Sequence, residues 1–366
     1  MGRTGEVPID RVDVSVFRIP TEEPESDGTL SWDHTTMVLV EPSAGGKKGI
    51  GYTYADTATA ALIRETLAPR LAGHDAFATT AAFFSMATAI RNLGRPGISA
   101  MAISAVDNAL WDLRSKLLGA PLVRVLGVAR AEAKAYGSGG FTSYTLEQLR
   151  AQLGGWASAG MEMVKMKVGR DAGADPARAK AAREAIGEEV QLFVDANGGY
   201  GTKQALGMAE VFHDLGVTWF EEPVPADDLA GLRYLRDRCP GNMDVAAGEY
   251  GYEIGYFRRM AKAGAVDVLQ ADITRCGGVT GMLRVAAICE AFRLPLSTHC
   301  APSQHVHPAC AIEALRHVEY FHDHVRIEGM LLDGAAKAER GVLRPDLGRE
   351  GMGIALKRAD AERWRV

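Results

Sequence analysis

Cysteine is scarce in this chain, and what there is forms no pattern. The five are Cys239, Cys276, Cys289, Cys300 and Cys310, an odd number with no two separated by a Cys-x-x-Cys spacing. That excludes a disulfide scaffold and suits a reducing, cytoplasmic compartment. An excess of positive charge is also missing. The net charge is −5 with a pI near 6.0, and no basic stripe or basic amphipathic helix stands out, so neither nucleic acid nor a membrane surface is an expected partner. No apolar run approaches the roughly 20 residues of a membrane span. Met1 to Asp10 has no apolar core, so no secretory leader is expected. Internal repeats and low-complexity linkers are lacking too. What is present is an apolar fraction of 47% over 366 residues. That is ample for a core, and longer than one ordinary barrel of about 250 residues.

The central stretch, Met163 to His299, carries the organising pattern. Short apolar runs end repeatedly in a charged residue: Met163–Lys167, Gln191–Asp195, Val217–Glu221, Val245–Glu249, Val266–Asp272 and Leu294–His299. Successive terminal charges are 28, 26, 28, 23 and 27 residues apart, about the length of a strand, a loop, a helix and a return loop. Short bounded apolar runs of this kind read as fully buried parallel strands. One architecture gathers the C-terminal ends of such strands around a single mouth, the (β/α)8 barrel. A lone charge at a strand end is ordinarily a solvated surface residue. Six consecutive strand ends bearing Lys, Asp, Glu, Glu, Asp and His point instead to one site.

Three segments are expected: an α+β capping domain over residues 1–125, a barrel over 126–325, and a tail over 326–366 that folds back on the cap. In the cap, Val12–Ile19, Thr35–Val40 and Gly49–Tyr54 read as strands, with a turn at Gly45-Gly46. Helices are expected near 57–71, 75–92 and 99–118. In the last of these, Trp111 is expected to pack, with Asp107 and Asp112 solvated or capping. Thr21 to Asp33, rich in Glu, Asp, Ser and Pro, reads as a surface loop or as a flap over the barrel mouth. The barrel's first strand is expected at Ala135–Gly140 and its eighth at His317–Phe321. Cys300 beside His299 is not expected to form a nucleophile pair, because adjacent strand residues face opposite ways.

Asp195, Glu221 and Glu249 on consecutive strand ends would repel one another in a cleft. A divalent cation resolves that repulsion. All-oxygen ligands select a hard ion, Mg²⁺ first and Mn²⁺ as the alternative. Lys165 and Lys167, at alternate positions, both point inward, and each ammonium would lower the other's pKa and make a base available. On the other side, Asp272 would fix the tautomer of His299. His305 and His307 have no such partner. A carboxylate-binding metal with a base on each face describes removal of a proton α to a carboxylate. Lys165, and Glu319 if protonated, would stabilise the enediolate.

The motifs Lys-Met-Lys (165–167), Phe-Val-Asp-Ala-Asn (193–197), Trp-Phe-Glu-Glu-Pro (219–223), Ala-Ala-Gly-Glu (246–249), Gln-Ala-Asp (270–272) with Gly277-Gly278, Ser-Thr-His (297–299) and Val-Glu-Tyr (318–320) resemble the enolase superfamily, mandelate racemase subgroup. The resemblance extends over the whole chain, including the helix ending in Trp-Asp-Leu-Arg-Ser-Lys-Leu-Leu-Gly (111–119). It implies Lys167 and the His299–Asp272 dyad as bases, Asp195, Glu221 and Glu249 as metal ligands, Lys165 and Asn197 as substrate contacts, and Glu319 as the electrophilic glutamate. A branch similar to muconate cycloisomerases or dipeptide epimerases would carry Lys where Asp272 stands. Loops Thr21–Asp33 and Tyr52–Thr57 are expected to choose the substrate, with Trp32 and Tyr54 among its contacts. The implied activity is Mg²⁺-dependent dehydration of a small acid sugar to a 2-keto-3-deoxy acid, with racemisation or epimerisation of a 2-hydroxy acid, or cycloisomerisation, as alternatives. A homo-oligomer is expected.

Overall fold

The structure, a computed structural model, describes residues 5–366, so residues 1–4 of the expected capping domain lie outside it. Four strands open the chain: β1 (Ile9–Ser26), β2 (Ser31–Ala44), β3 (Lys47–Lys48) and β4 (Gly51–Tyr54). β2 is the centre of this antiparallel sheet, pairing with the other three. Both faces of the sheet are covered. Val16, Val38 and Val40 pack on the cap's helices, whereas Phe17, Ile19, Met37, Leu39 and Tyr52 join the barrel's core. That double burial explains why Met37-Val38-Leu39-Val40 is an unbroken apolar run rather than an alternating one.

Thr21–Asp33 is not a separate loop. β1 and β2 continue through it as a long hairpin, with a register shift between Pro20 and Glu25 that takes up the irregular Pro-containing stretch. The hairpin tip, residues 27–30, rests on the barrel mouth. A Cβ at Gly28 would lie 2.1 Å from the carbonyl oxygen of Ala196, so only glycine permits this approach. Arg170 donates to the carbonyls of Asp27 and Leu30 at 3.0 and 2.6 Å, and the Thr29 hydroxyl donates to that of Asn197 at 3.3 Å.

The first helical segment runs from Thr57 to Leu71 through a π-helical turn at Ile63–Leu67; Thr79–Ala89 and Ile98–Leu117 follow. The last is the spine between cap and barrel. Trp111 packs and donates to the Thr280 hydroxyl at 2.9 Å. Asp107 and Asp112 are both fully buried, which corrects the expectation that they could be solvated. Asp107 accepts from the backbone N–H and the hydroxyl of Thr280, capping the helix Gly278–Phe292. Asp112 accepts the N–H groups of Ile50 and Met352 and pairs with Lys116, holding a cap strand and the C-terminal tail to one point. An acidic residue on a helix reads as solvated from sequence because its distant backbone partners cannot be seen.

Eight parallel strands then close into a barrel: β5 (Ala133–Gly139), β6 (Met163–Lys167), β7 (Gln191–Asp195), β8 (Val217–Glu221), β9 (Asp244–Ala247), β10 (Val268–Ala271), β11 (Leu296–Thr298) and β12 (Leu315–Phe321), with β12 pairing back on β5. A helix follows each strand, from Leu146–Ser158 after β5 to His322–Leu331 after β12. The tail returns to the cap: the Arg18 N–H donates to the Trp364 carbonyl and the Val366 N–H to that of Val16. It also adds Val342–Leu343 antiparallel to β5, beside the barrel's N-terminal end. No helix among the described residues is long and apolar enough to cross a membrane.

Another buried carboxylate joins cap to barrel. Glu328, on the barrel's last helix, accepts from Tyr52 Oη at 2.7 Å, Tyr54 Oη at 3.4 Å, and the backbone N–H and hydroxyl of Ser303 at 3.0 and 2.5 Å. Burial pushes its pKa up to about 7 despite these donors. A raised carboxyl pKa means that the folded state keeps a proton the unfolded chain has lost. Its contribution is therefore fully present below the unfolded value of 4.5 and is lost as pH rises through about 7. The difference amounts to about 3 kcal/mol. Urea unfolding of Glu328→Gln should show a shallower decline in stability from about pH 5 to about pH 8 than the parent protein. Parallel profiles would exclude titration of Glu328 in this range.

Candidate active site

The site assembles because the barrel aligns its strand ends. Lys167 pairs in register with Asp195, and Asp195 with Glu221. Glu249 lies two residues beyond the end of β9, after Gly248 at φ 139°, where a Cβ would fall 2.1 Å from the Gln270 carbonyl oxygen. Asp272 and His299 directly follow β10 and β11. Beneath them Tyr136, Phe193 and Trp219 fill the barrel interior. The Trp219 indole N–H donates to Glu221 Oε2 at 2.9 Å and so orients that carboxylate.

All eight expected charged residues come together, each no more than 6% exposed. Lys165 Nζ lies 2.6 Å from Glu221 Oε1, 2.8 Å from Glu319 Oε1 and 3.6 Å from Asp195 Oδ2. Lys167 pairs with Asp195. His299 places Nδ1 2.8 Å from Asp272 Oδ2 and Nε2 3.1 Å from Glu249 Oε2. Above the cluster opens a cavity of about 380 Å³. Lys167, Glu249, His299 and Asn197 line it, and Trp32 and Tyr54 stand in its wall. Lys165 and Glu319 lie buried beneath.

The electrostatics are those of a crowded acidic pocket. Burial, and then the charge of Asp195, push the Glu221 carboxyl up to about 8. Although burial opposes it, the hydrogen bond and charge of His299 hold Asp272 at about 2. For Lys167, burial works against the ammonium, but Asp195 outweighs both burial and the repulsion of Lys165, so its pKa is raised. The expected lowering of the lysine pKa is thus reversed here by direct contact with a carboxylate. Glu319 is likewise no proton donor in this arrangement. Against the effect of burial, Lys165 holds it ionised, and it accepts from the Ser138 hydroxyl at 2.6 Å and the Cys300 N–H at 2.7 Å.

The residues present fit a hard divalent cation. One oxygen from each of Asp195, Glu221 and Glu249 lies within 4.8 Å of the others. Glu249 Oε2 is buried with no hydrogen-bond donor, although the His299 ring nitrogen stands 3.1 Å away outside hydrogen-bonding geometry. The buried Asn197 Oδ1 also lacks a partner. Oxygen donors left unsatisfied together are the surroundings such an ion requires.

Several residues at the site escaped the sequence reading. Arg275 lies 3.5 Å from Asp272 and 3.6 Å from Glu249, tying the dyad to the carboxylate cluster. Its spacing of three from Asp272 was the available signal. Glu222 is buried with Oε1 unpartnered and its pKa well raised, by burial and then by Glu249. His324 stacks on Tyr54 with ring centroids 3.5 Å apart. Glu222 directly follows β8, and that position was its available signal; no strand-end rule marks His324. Cys300 does meet His299, at 3.3 Å between Sγ and Nε2. Both residues lie beyond the end of β11, and Cys300 has φ 53°, so strand alternation does not govern them. Burial pushes the thiol up to about 12, which keeps it protonated near neutral pH unless a cation binds it.

Comparison with known proteins agrees with this geometry. Residues 148–361 match the model of the enolase C-terminal domain-like family, and residues 11–127 that of the mandelate racemase / muconate lactonizing enzyme N-terminal domain. A 3,6-anhydro-alpha-L-galactonate cycloisomerase from Streptomyces coelicolor is 30% identical over 95% of this chain and 97% of its own. An L-talarate/galactarate dehydratase from Salmonella typhimurium is 28% identical over 97% of this chain and 90% of its own. Among solved structures, a mandelate racemase/muconate lactonizing enzyme-like protein from Rubrobacter xylanophilus superposes with a TM-score of 0.96 at 53% identity, covering 98% of this chain and all of that one (100%). A racemase from Streptomyces coelicolor A3(2), solved with bound magnesium, superposes with a TM-score of 0.92 at 28% identity, covering 98% and 100%. Fold, strand-end constellation and both family matches lead to one conclusion: the chain is an enzyme of the enolase superfamily and belongs to its mandelate racemase / muconate lactonizing enzyme family.

Proposed function

We propose that this enzyme, with Mg²⁺ as cofactor, removes the proton α to the carboxylate of an acid sugar and expels the β-hydroxyl, giving a 2-keto-3-deoxy acid. The observation that carries this reading is the placement of two proton-transfer groups around one cavity. Lys167 stands beside Asp195 at the end of β6, and His299 beside Glu249 after β11, across the barrel. Polar side chains in the wall, among them Asp27, Thr35, Thr36, Asp56 and Arg275, suit a polyhydroxylated chain, with Trp32 and Tyr54 offering flat faces to its carbon skeleton.

Asp195, Glu221 and Glu249 would hold the ion; Mn²⁺ would suit the same donors. When bound, it would neutralise their repulsion and polarise the substrate carboxylate as a Lewis acid. Lys167 Nζ takes the α-proton; a cation held by Asp195 would weaken the pairing that keeps that lysine protonated. The ammonium of Lys165 faces the negative charge that develops on the carboxylate oxygens, and Glu319 keeps it in place. Asp272 holds the Nδ1 proton of His299 and stabilises the doubly protonated ring, so the proton the ring gives up leaves from Nε2. As the C–O bond breaks, His299 protonates the leaving oxygen and water departs. The resulting enol becomes the ketone. In a second reading, racemisation or epimerisation of a 2-hydroxy acid, the same two groups remove and return the proton on opposite faces of one carbon. Their placement across the cavity is compatible with this too. Cycloisomerisation would replace the hydroxide with a ring oxygen as leaving group. A screen of aldonic, aldaric and uronic acids with Mg²⁺, monitoring 2-keto products and changed stereochemistry together, separates the three.

Mg²⁺ should raise the melting temperature, because it binds only the folded carboxylate cluster, and chelation should abolish activity. Full activity at negligible metal content would overturn the metal assignment. In D₂O, Lys167→Ala should lose α-proton exchange, by about 10²–10⁴-fold, for the substrate configuration facing that lysine only. His299→Asn should lose it for the opposite configuration and should block loss of the hydroxyl. Equal loss for both configurations in either folded, metal-loaded variant would exclude a two-sided mechanism.

A further inference from the structure

No step above uses the thiol of Cys300, yet it lines the cavity 3.3 Å from Nε2 of His299. Side chains adjacent in sequence ordinarily diverge. These converge because Cys300 and Ala301 take up φ 53° and 42°, two successive non-glycine residues in the left-handed region. Glu319 completes a constellation. Its Oε2 lies 3.9 Å from His299 Nε2 and accepts the Cys300 N–H at 2.7 Å. One ligand atom from each of His299, Cys300 and Glu319 falls within 4.8 Å of the other two.

We propose that these three residues form a second cation site, selective for a borderline-soft divalent ion such as Zn²⁺ and distinct from the all-oxygen cluster. Softness separates the two: sulfur and imidazole nitrogen favour Zn²⁺, whereas three carboxylates favour Mg²⁺. The supporting contacts are already in place. Asp272 on Nδ1 directs the Nε2 lone pair outward, the carboxylate–histidine arrangement common among metal-ligating histidines. Ser138 and Lys165 anchor the far oxygen of Glu319. On binding, the thiol gives its proton to solvent and the sulfur ligates as thiolate; nothing is oxidised or reduced. With three protein ligands the ion keeps an open position toward the cavity. Because it occupies Nε2, it withdraws the atom that transfers the proton, so this site is inhibitory.

The test is Zn²⁺ titration of the full-length protein saturated with Mg²⁺, with Co²⁺ as the spectroscopic probe. One equivalent of Zn²⁺ should bind beyond the Mg²⁺, activity should fall in step with its occupancy, and Co²⁺ should show a thiolate-to-metal charge-transfer band. Cys300→Ser should abolish the band and weaken Zn²⁺ by more than the roughly 10–100-fold typical of losing an outer partner. Glu221→Gln should weaken Mg²⁺ and keep the band. Unchanged Zn²⁺ affinity in Cys300→Ser, a Co²⁺ spectrum without the thiolate band, or loss of the band in folded Glu221→Gln would overturn the proposal.

Discussion

Mutual repulsion among buried carboxylates is the constraint on which the rest of this molecule depends. Asp195, Glu221, Glu249, Asp272 and Glu319 are all buried within one barrel mouth, with Glu222 beside them. Charges in that setting persist only when paired. Lys165, Lys167, His299 and Arg275 supply the pairing, both lysines from β6, Arg275 from beyond β10 and His299 from beyond β11. The ionic cluster is poorly suited to stability and well suited to chemistry: burial and neighbouring charges move Glu221 and Lys167 above, and Asp272 below, their ordinary titration ranges.

The cap is the second half of the site. Its sheet is buried on both faces and so is locked against the barrel, while the hairpin it extends reaches the mouth and stays there through Gly28, Thr29 and Arg170. Trp32 and Tyr54, which line the cavity, belong to the strands that carry this load. These two cavity-lining side chains are thereby held on a sheet rather than on a free loop. The Tyr52–Tyr54–Glu328–Ser303 contacts join that sheet to the helix that carries His324.

The structure also shows where local rules stop applying. Strand alternation separates neighbouring side chains, but it ends with the strand. Two residues beyond Thr298, a left-handed backbone brings Cys300 onto His299. Asp107 and Asp112 sit on a helix in a pattern that suits solvent, yet they serve backbone N–H groups from distant segments. Functional and structural polar residues alike depart from pattern where a tertiary partner compensates them.

The sequence by itself determined the barrel, the order of its strands and the identity of the charged residues at their ends. Parallel strands buried on both faces must be short and apolar, and a regular spacing between them leaves one architecture. The strands from Met163–Lys167 to Val217–Glu221 therefore stand where their residues place them. Only the tertiary structure decided which charges touch. Lys167 meets Asp195 rather than standing free, Glu319 is ionised by Lys165, and Arg275 bridges Asp272 to Glu249. Such contacts depend on side-chain directions and distances of a few ångströms between residues far apart in the chain, and electrostatic energies at that range vary too steeply for spacing along a sequence to resolve.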